Sequence, residues 1–142
     1  MPPQISSTSS LVRLSESVKL LASDGRAGGR LGESVAVSEQ LAALGAPGDA
    51  EGSLSAGAAY VFAFDGSDWE EDEKLLPGDG NDLDAFGTSV AIEGDSIVVG
   101  AILGDNNWDR TGSAYVFIYD RGRWEEQDEL VPSNGREFDR FG

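Results

Sequence analysis

FGTSVAIEGDSIVVGA (86–101) and GSAYVFIYDRGRWEEQDEL (112–130) decide the fold. SVAI (89–92) is short and β-branched, and EGD (93–95) behind it has turn composition. SIVVGA (96–101) is an apolar run of strand length, and SAYVFIYD (113–120) is rich in Tyr, Phe, Val and Ile, which suit a pleated surface. Asp120-Arg121-Gly122-Arg123 reads as a hairpin turn. WEEQDELV (124–131) then resumes a mixed polar and apolar pattern. Four short, turn-linked strands predict an antiparallel meander. IVVGA is apolar on both side-chain parities, as a strand covered on both faces must be. The acids of WEEQDEL place that strand at an exposed edge, where charge discourages further pairing.

The same pattern occurs twice. KLLASDG (19–25) recurs as KLLPGDG (74–80) and more loosely as ELVPSNG (129–135). LGESVAV (31–37) recurs as FGTSVAI (86–92), GAAYVFAFD (57–65) as GSAYVFIYD (112–120), and WEED (69–72) as WEEQ (124–127). All keep an offset of 55 positions, so Lys19/Lys74, Gly32/Gly87, Tyr60/Tyr115 and Trp69/Trp124 are equivalents. The slip between GAPGD (45–49) and GAILGD (100–105) marks a loop. The first copy predicts strands at about 34–37, 41–46, 58–64 and 69–76. Internal duplication of four-stranded units, with buried middle strands and a polar outer strand, points to an all-β architecture of β-propeller blades. A solenoid has a shorter rung, roughly 20–30 residues, and a sandwich has no need of such a repeat.

The expected organisation is a disordered polar leader over residues 1–16, then a partial propeller over 17–142. It comprises repeat units 33–87 and 88–142 and a half unit 17–32 that supplies one extra outermost N-terminal strand. Two blades do not close a ring of the usual about 4–8. The expectation is therefore a fragment of a longer propeller, or a subunit that completes a ring with copies of itself.

These residues resemble the FG-GAP repeat family, in particular its bacterial variant with FG-x-SVAI-x-GD, VGA and G-x-AYVF…W motifs. The resemblance covers roughly residues 18–142, with LGESVAV (31–37), LGAP (44–47) and GAAYVF (57–62) through Trp69 as the first copy. It implies propeller blades related to the integrin α-subunit head, an extracellular or cell-surface setting, and adhesive or unassigned roles. The expected function is a structural or adhesive module towards protein or glycan, with a pure scaffold without a specific ligand, or a carbohydrate-active enzyme module, as the alternative. The integrin-type repeat carries a calcium loop before its GAP segment. That place holds only EGDS (93–96) in one copy and SEQ (38–40) in the other, too few oxygens for the six to eight that Ca²⁺ takes. Calcium binding is accordingly not carried over.

Other acidic loops also read as solvated turns. Asp105, Asn107 and Asp109 begin with calcium-loop spacing, but Arg110 stands where Gly is needed and Val116 where the closing Glu belongs. Asp79, Asn81 and Asp84 form a set that the other copies do not keep. Leu31, Gly32, Gly45, Ala46, Tyr60, Trp69, Phe86, Gly87, Gly100, Ala101, Tyr115 and Trp124 recur at fixed places and are expected to be architectural. Gly45 and Gly100 suit a close backbone approach, and Leu31 and Phe86 suit the gap between neighbouring blades. Trp108, unrepeated in a polar loop, is the candidate ligand contact.

Composition narrows the chemistry. The chain of 142 residues has Lys+Arg 10 against Asp+Glu 26, a net charge of −16, with no His and no Cys. Histidine bases, cysteine nucleophiles and His or Cys metal sites are absent. No P-loop string occurs, and with so many carboxylates a chance pair carries no weight as a glycosidase site. The expectation is no enzyme and no cofactor. Strong acidity opposes nucleic acid as a partner, and no apolar run approaches the roughly 18 residues of a membrane span. The leader lacks the basic and apolar regions of a signal peptide.

Overall fold

The computed structural model describes residues 15–50, 55–104 and 110–142. The polar leader expected over 1–16 lies outside them except for Ser15 and Glu16, and so do Trp108, Asp105, Asn107 and Asp109.

Eight strands form two four-stranded antiparallel sheets, each in sequence order. Blade 1 is β1 (Ser34–Ser38), β2 (Leu41–Ala46), β3 (Ala58–Phe64) and β4 (Trp69–Leu75). Blade 2 is β5 (Phe86–Glu93), β6 (Ser96–Ala101), β7 (Ser113–Asp120) and β8 (Arg123–Leu130). No helix occurs among the described residues. Register repeats with the sequence: Leu44 opposes Tyr60 as Val99 opposes Tyr115. Both outer pairs carry a bulge at the same place, after Val61 and after Val116. The turn at Arg121-Gly122 has φ of 51° and 91°, the left-handed pair that matches the twist of a two-residue hairpin.

Each blade has a leading face, towards the preceding part of the chain, and a trailing face, towards the following part. One apolar core lies between the blades. Blade 1 contributes Ala43, Ala59, Val61 and Leu75 from its trailing face. Blade 2 contributes Phe86, Ile97, Val99, Ala101, Tyr115, Phe117 and Trp124 from its leading face. Phe86 is fully buried and meets the rings of Tyr115 and Phe117 edge-on, with centroids 5.4 and 6.0 Å away. A second cluster covers the leading face of blade 1, where Ala42, Leu44, Tyr60 and Phe62 pack with Leu20, Ala22, Leu31 and Trp69.

The outermost strand expected over 18–22 is not formed, because residues 15–22 carry no ladder. A strand needs a neighbour for its backbone groups, and no described strand lies beside this segment. It is held by side chains instead, with Leu20 and Ala22 on the second cluster and Ser23 bonded to Glu71.

β5 begins at Phe86, three residues before the expected SVAI. The reason is the joint: Phe86 N donates to Ala56 O, and Gly87 lies against Gly45 so closely that a Cβ on Gly45 would fall 1.8 Å from Gly87 O. Ser34 Oγ also donates to Gly87 O at 2.8 Å. Gly87 has φ 94°, which a side chain would strain.

Candidate functional site

Three features are placed by the repeat: a polar knot at each blade joint, a cleft along the joint, and the outward faces of the stack.

The first knot ties the segment before blade 1 to that blade. Tyr60, on β3, donates from its hydroxyl to Asp24 Oδ1 at 2.7 Å and Asp49 Oδ2 at 2.8 Å. Lys74, on β4, reaches the same carboxylates at 2.6 and 3.0 Å, with its ammonium 5.3 Å from the Tyr60 ring centroid. Asp49 is buried, so the Lys74 charge compensates a carboxylate that water does not solvate. The hydrogen bond from Lys74 holds the Asp24 carboxyl below the usual carboxylate range, with Tyr60 adding to the effect. Burial, then the bond to Asp24, push the Tyr60 hydroxyl far above its ordinary value. It is therefore a fixed donor at neutral pH rather than an acid.

The second knot keeps the tyrosine and has a glutamate where the first has its cation. Tyr115 donates to Asp79 Oδ1 at 2.9 Å, the partner 36 positions away that Tyr60 also has. Burial raises the Tyr115 hydroxyl even further, helped by Asp79 and by the charges of Glu129 and Asp84. Glu129 occupies the position equivalent to Lys74. Asp84 is buried and accepts from Asn81 N at 2.6 Å, as Asp139 accepts from Arg136 N. Asp79, Asn81 and Asp84 thus belong to a linking turn. Among the described residues no group of three or more His, Cys, Asp or Glu is arranged to hold a metal ion.

The cleft, about 200 Å³, is lined by Leu41, Ala63 and Asp72 from blade 1 and Asp95, Tyr119 and Trp124 from blade 2. Tyr119 packs on Trp124 at 5.3 Å between ring centroids, as Phe64 packs on Trp69 at 5.4 Å. Trp124 is buried, and its indole Nε1 has no acceptor among the described residues.

The outward faces show what the repeat leaves uncovered. On the trailing face of blade 1, Ala43 is fully buried and Leu75 is 2% exposed. Their equivalents on blade 2, Val98 and Leu130, are 36% and 41% exposed, and Val116 and Ile118 beside them are half-buried. Val35 and Val37, on the inner strand of blade 1, are exposed, while their equivalents Val90 and Ile92 pack on the inter-blade core. These faces carry no catalytic constellation. They are apolar sheet surfaces of the kind that another sheet covers.

The architectural residues fall as follows. Gly45 and Gly87 make the close approach between blades, and Gly100 meets Gly142 in the same way. Ala46 and Ala101 end β2 and β6 in the two clusters. Leu31 packs on the second cluster, and Gly32 N donates to Gly45 O at 2.9 Å. Sequence reasoning read Asp79 as part of a solvated turn and gave Asp24, Asp49 and Lys74 no partner; the constant spacing of Tyr60 from Asp24 and Tyr115 from Asp79 was the available signal.

A family model described as FG-GAP repeat matches residues 14–62 and 69–117, more than half of the chain. No curated protein matches it. No helix among the described residues is long and apolar enough to cross a membrane.

Proposed function

The chain belongs to the FG-GAP repeat family, and we propose that it is a non-enzymatic β-propeller repeat module with a structural, protein-binding role exerted through its blade faces. The observation that carries this reading is the pair Leu75 and Leu130, one repeat apart, the first 2% and the second 41% exposed. A surface that is core in one copy and open in the next is built to be covered. An extracellular or cell-surface setting and an adhesive role accompany this reading; its supports are the family and a net charge of −16, which keeps stacked sheets soluble. The test is hydrophobic-dye binding to the folded chain. Val98→Ser with Leu130→Ser should at least halve dye fluorescence and leave the melting temperature within about 2 °C, as an exposed site would. Dye binding that is absent in the parent chain, or a melting temperature that collapses, contradicts the reading.

A second reading, glycan binding, is favoured by the joint cleft alone. Tyr119 offers an aromatic wall, and Asp72 and Asp95 offer carboxylate acceptors for sugar hydroxyls. A glycan array with the parent chain and Tyr119→Ala decides it: binding lost in the variant supports it, and an array blank for both rejects it.

A further inference from the structure

The polar residues of the joint cleft are the part of this joint that the repeat does not carry. Asp72, Asp95 and Tyr119 line it, and their equivalents one offset earlier are Ser17, Gln40 and Phe64. The packing pair itself is kept, since Tyr119 lies on Trp124 as Phe64 lies on Trp69. Blade stacking therefore needs an aromatic ring at this place and needs neither the phenol nor the two carboxylates. The joint fixes the backbone around them. Tyr119 N donates to Asp95 O at 2.9 Å, and Trp124 N donates to Glu73 Oε2 of the other blade at 2.8 Å.

Both blades bring to the cleft polar groups that the described residues leave unmet. Trp124 is 5% exposed, and its indole Nε1, a donor only, has no acceptor among the described residues. A buried donor without a partner costs free energy that a ligand's acceptor offsets. Asp72 and Asp95 are exposed, and among the described residues neither carboxylate has a hydrogen-bond or ion-pair partner. The knot carboxylates differ, being held by Tyr60, Lys74 or Tyr115. Tyr119, 39% exposed, adds an aromatic wall open to solvent. The complement of these groups is a molecule with an apolar ring face, a positive charge and a hydrogen-bond acceptor close together. The cleft's 200 Å³ or so lies below the roughly 300 Å³ at which sites for drug-sized ligands begin, so it admits a single ring.

We propose that this cleft binds one amino-sugar residue with a free ammonium group. This deepens the glycan reading above and rests on it. The ammonium sits between Asp72 and Asp95, the C–H face of the ring lies on Tyr119, and a sugar oxygen accepts from Trp124 Nε1. A neutral sugar would take two carboxylates out of water with no charge to offset them. An acidic sugar would be repelled. A lysine or arginine side chain brings charge and donors but no acceptor, and leaves Nε1 unmet. A bare divalent ion finds two carboxylates where Ca²⁺ takes six to eight oxygens, and it makes no use of the aromatic wall. The net charge of −16 raises the local concentration of a cationic ligand.

Proton–nitrogen NMR of the indole groups tests this. The chain has three tryptophans, and Trp69→Phe and Trp108→Phe identify the Trp124 Nε1–H signal by removing the other two. Titrating the parent chain with the methyl glycoside of glucosamine should move that signal and saturate. The N-acetylated glycoside, the same ring without the charge, should bind at least roughly tenfold more weakly. Asp72→Asn and Asp95→Asn, both at exposed sites, should each weaken glucosamine binding roughly threefold to tenfold and leave the melting temperature within about 2 °C. Equal affinity for the two glycosides, binding that neither Asp variant weakens, or saturation with the Trp124 signal unmoved each overturns the proposal. Butylammonium, which stands for a lysine side chain, overturns it by binding as tightly as glucosamine. No response to glucosamine overturns it too. A glycan array positive for neutral sugars and lost in Tyr119→Ala would then keep the glycan reading alone, so the two are judged separately.

Discussion

The two blades are nearly the same object with different neighbours. The trailing face of blade 1 is covered by blade 2, and Ala43, Val61 and Leu75 are core. The trailing face of blade 2 carries Val98, Val116 and Leu130 in equivalent places, half-buried or exposed. Side-chain chemistry is matched position by position, so burial follows from what is stacked outside and not from the strand's own sequence. The knots differ in the opposite sense. Their geometry is repeated, yet Lys74 holds the first and Glu129 stands at its place in the second. Blade faces therefore set where the chain packs, and the knots set how firmly each joint is closed.

The largest effect expected from this contrast is at the glycine contact. Gly45→Ala drives a Cβ into Gly87 O, backbone against backbone, and should cost about 3 kcal/mol or more in urea unfolding. Gly100→Ala drives its Cβ against Ser89 Oγ and the Gly142 backbone as Gly45→Ala does against Ser34 Oγ and the Gly87 backbone, and should cost a comparable amount. A loss at one glycine alone would break the equivalence of the two contacts. Next is Lys74→Met. It leaves Asp49, 3% exposed, without its cation and should cost about 2–3 kcal/mol, below the full penalty of a wholly buried pair because Lys74 retains some exposure. A neutral result would mean that the knot does not hold the joint.

The smallest effect carries a pH signature. Asp24→Asn should cost under about 1 kcal/mol at neutral pH, since Asp24 is partly exposed. The Asp24 carboxyl is held below its unfolded value in the folded chain. Its contribution is therefore complete above the usual carboxylate range and is lost as pH falls through its lowered folded value. Parent and variant should differ at pH 7 and converge in acid. A difference that persists at the acid end would place the effect elsewhere than in the Asp24 charge.

Much of this fold was legible in the sequence because strands and turns are local. The runs at 41–46, 58–64, 96–101 and 113–120 have the observed bounds. The Gly-rich turns at 64–68 and 120–123 declare themselves by composition, and in the first Asp65 Oδ1 accepts from both Ser67 N and Asp68 N. What involves two units was harder to read. Phe86 and Gly87 extend β5 only because Gly45 and Ala56 of the other blade lie against them. The phase of the repeat makes residues 18–22 an outermost strand, but a strand is made by its neighbour. Tyr60 and Tyr115 read as core aromatics, and their hydroxyl partners lie in turns whose Asp residues look solvated. Only the repeated spacing marks those acids as partners of a buried donor.

Paired leucine truncation tests the contrast between the faces most directly. Leu75→Ala and Leu130→Ala remove the same atoms from equivalent positions, and urea unfolding at a concentration where the chain is monomeric measures both. Leu75→Ala should lose about 2–5 kcal/mol, the cost of a cavity in a packed core. Leu130→Ala should lose no more than about 0.5 kcal/mol, as at an exposed site. Equal losses would contradict the account, because the two faces would then be covered alike.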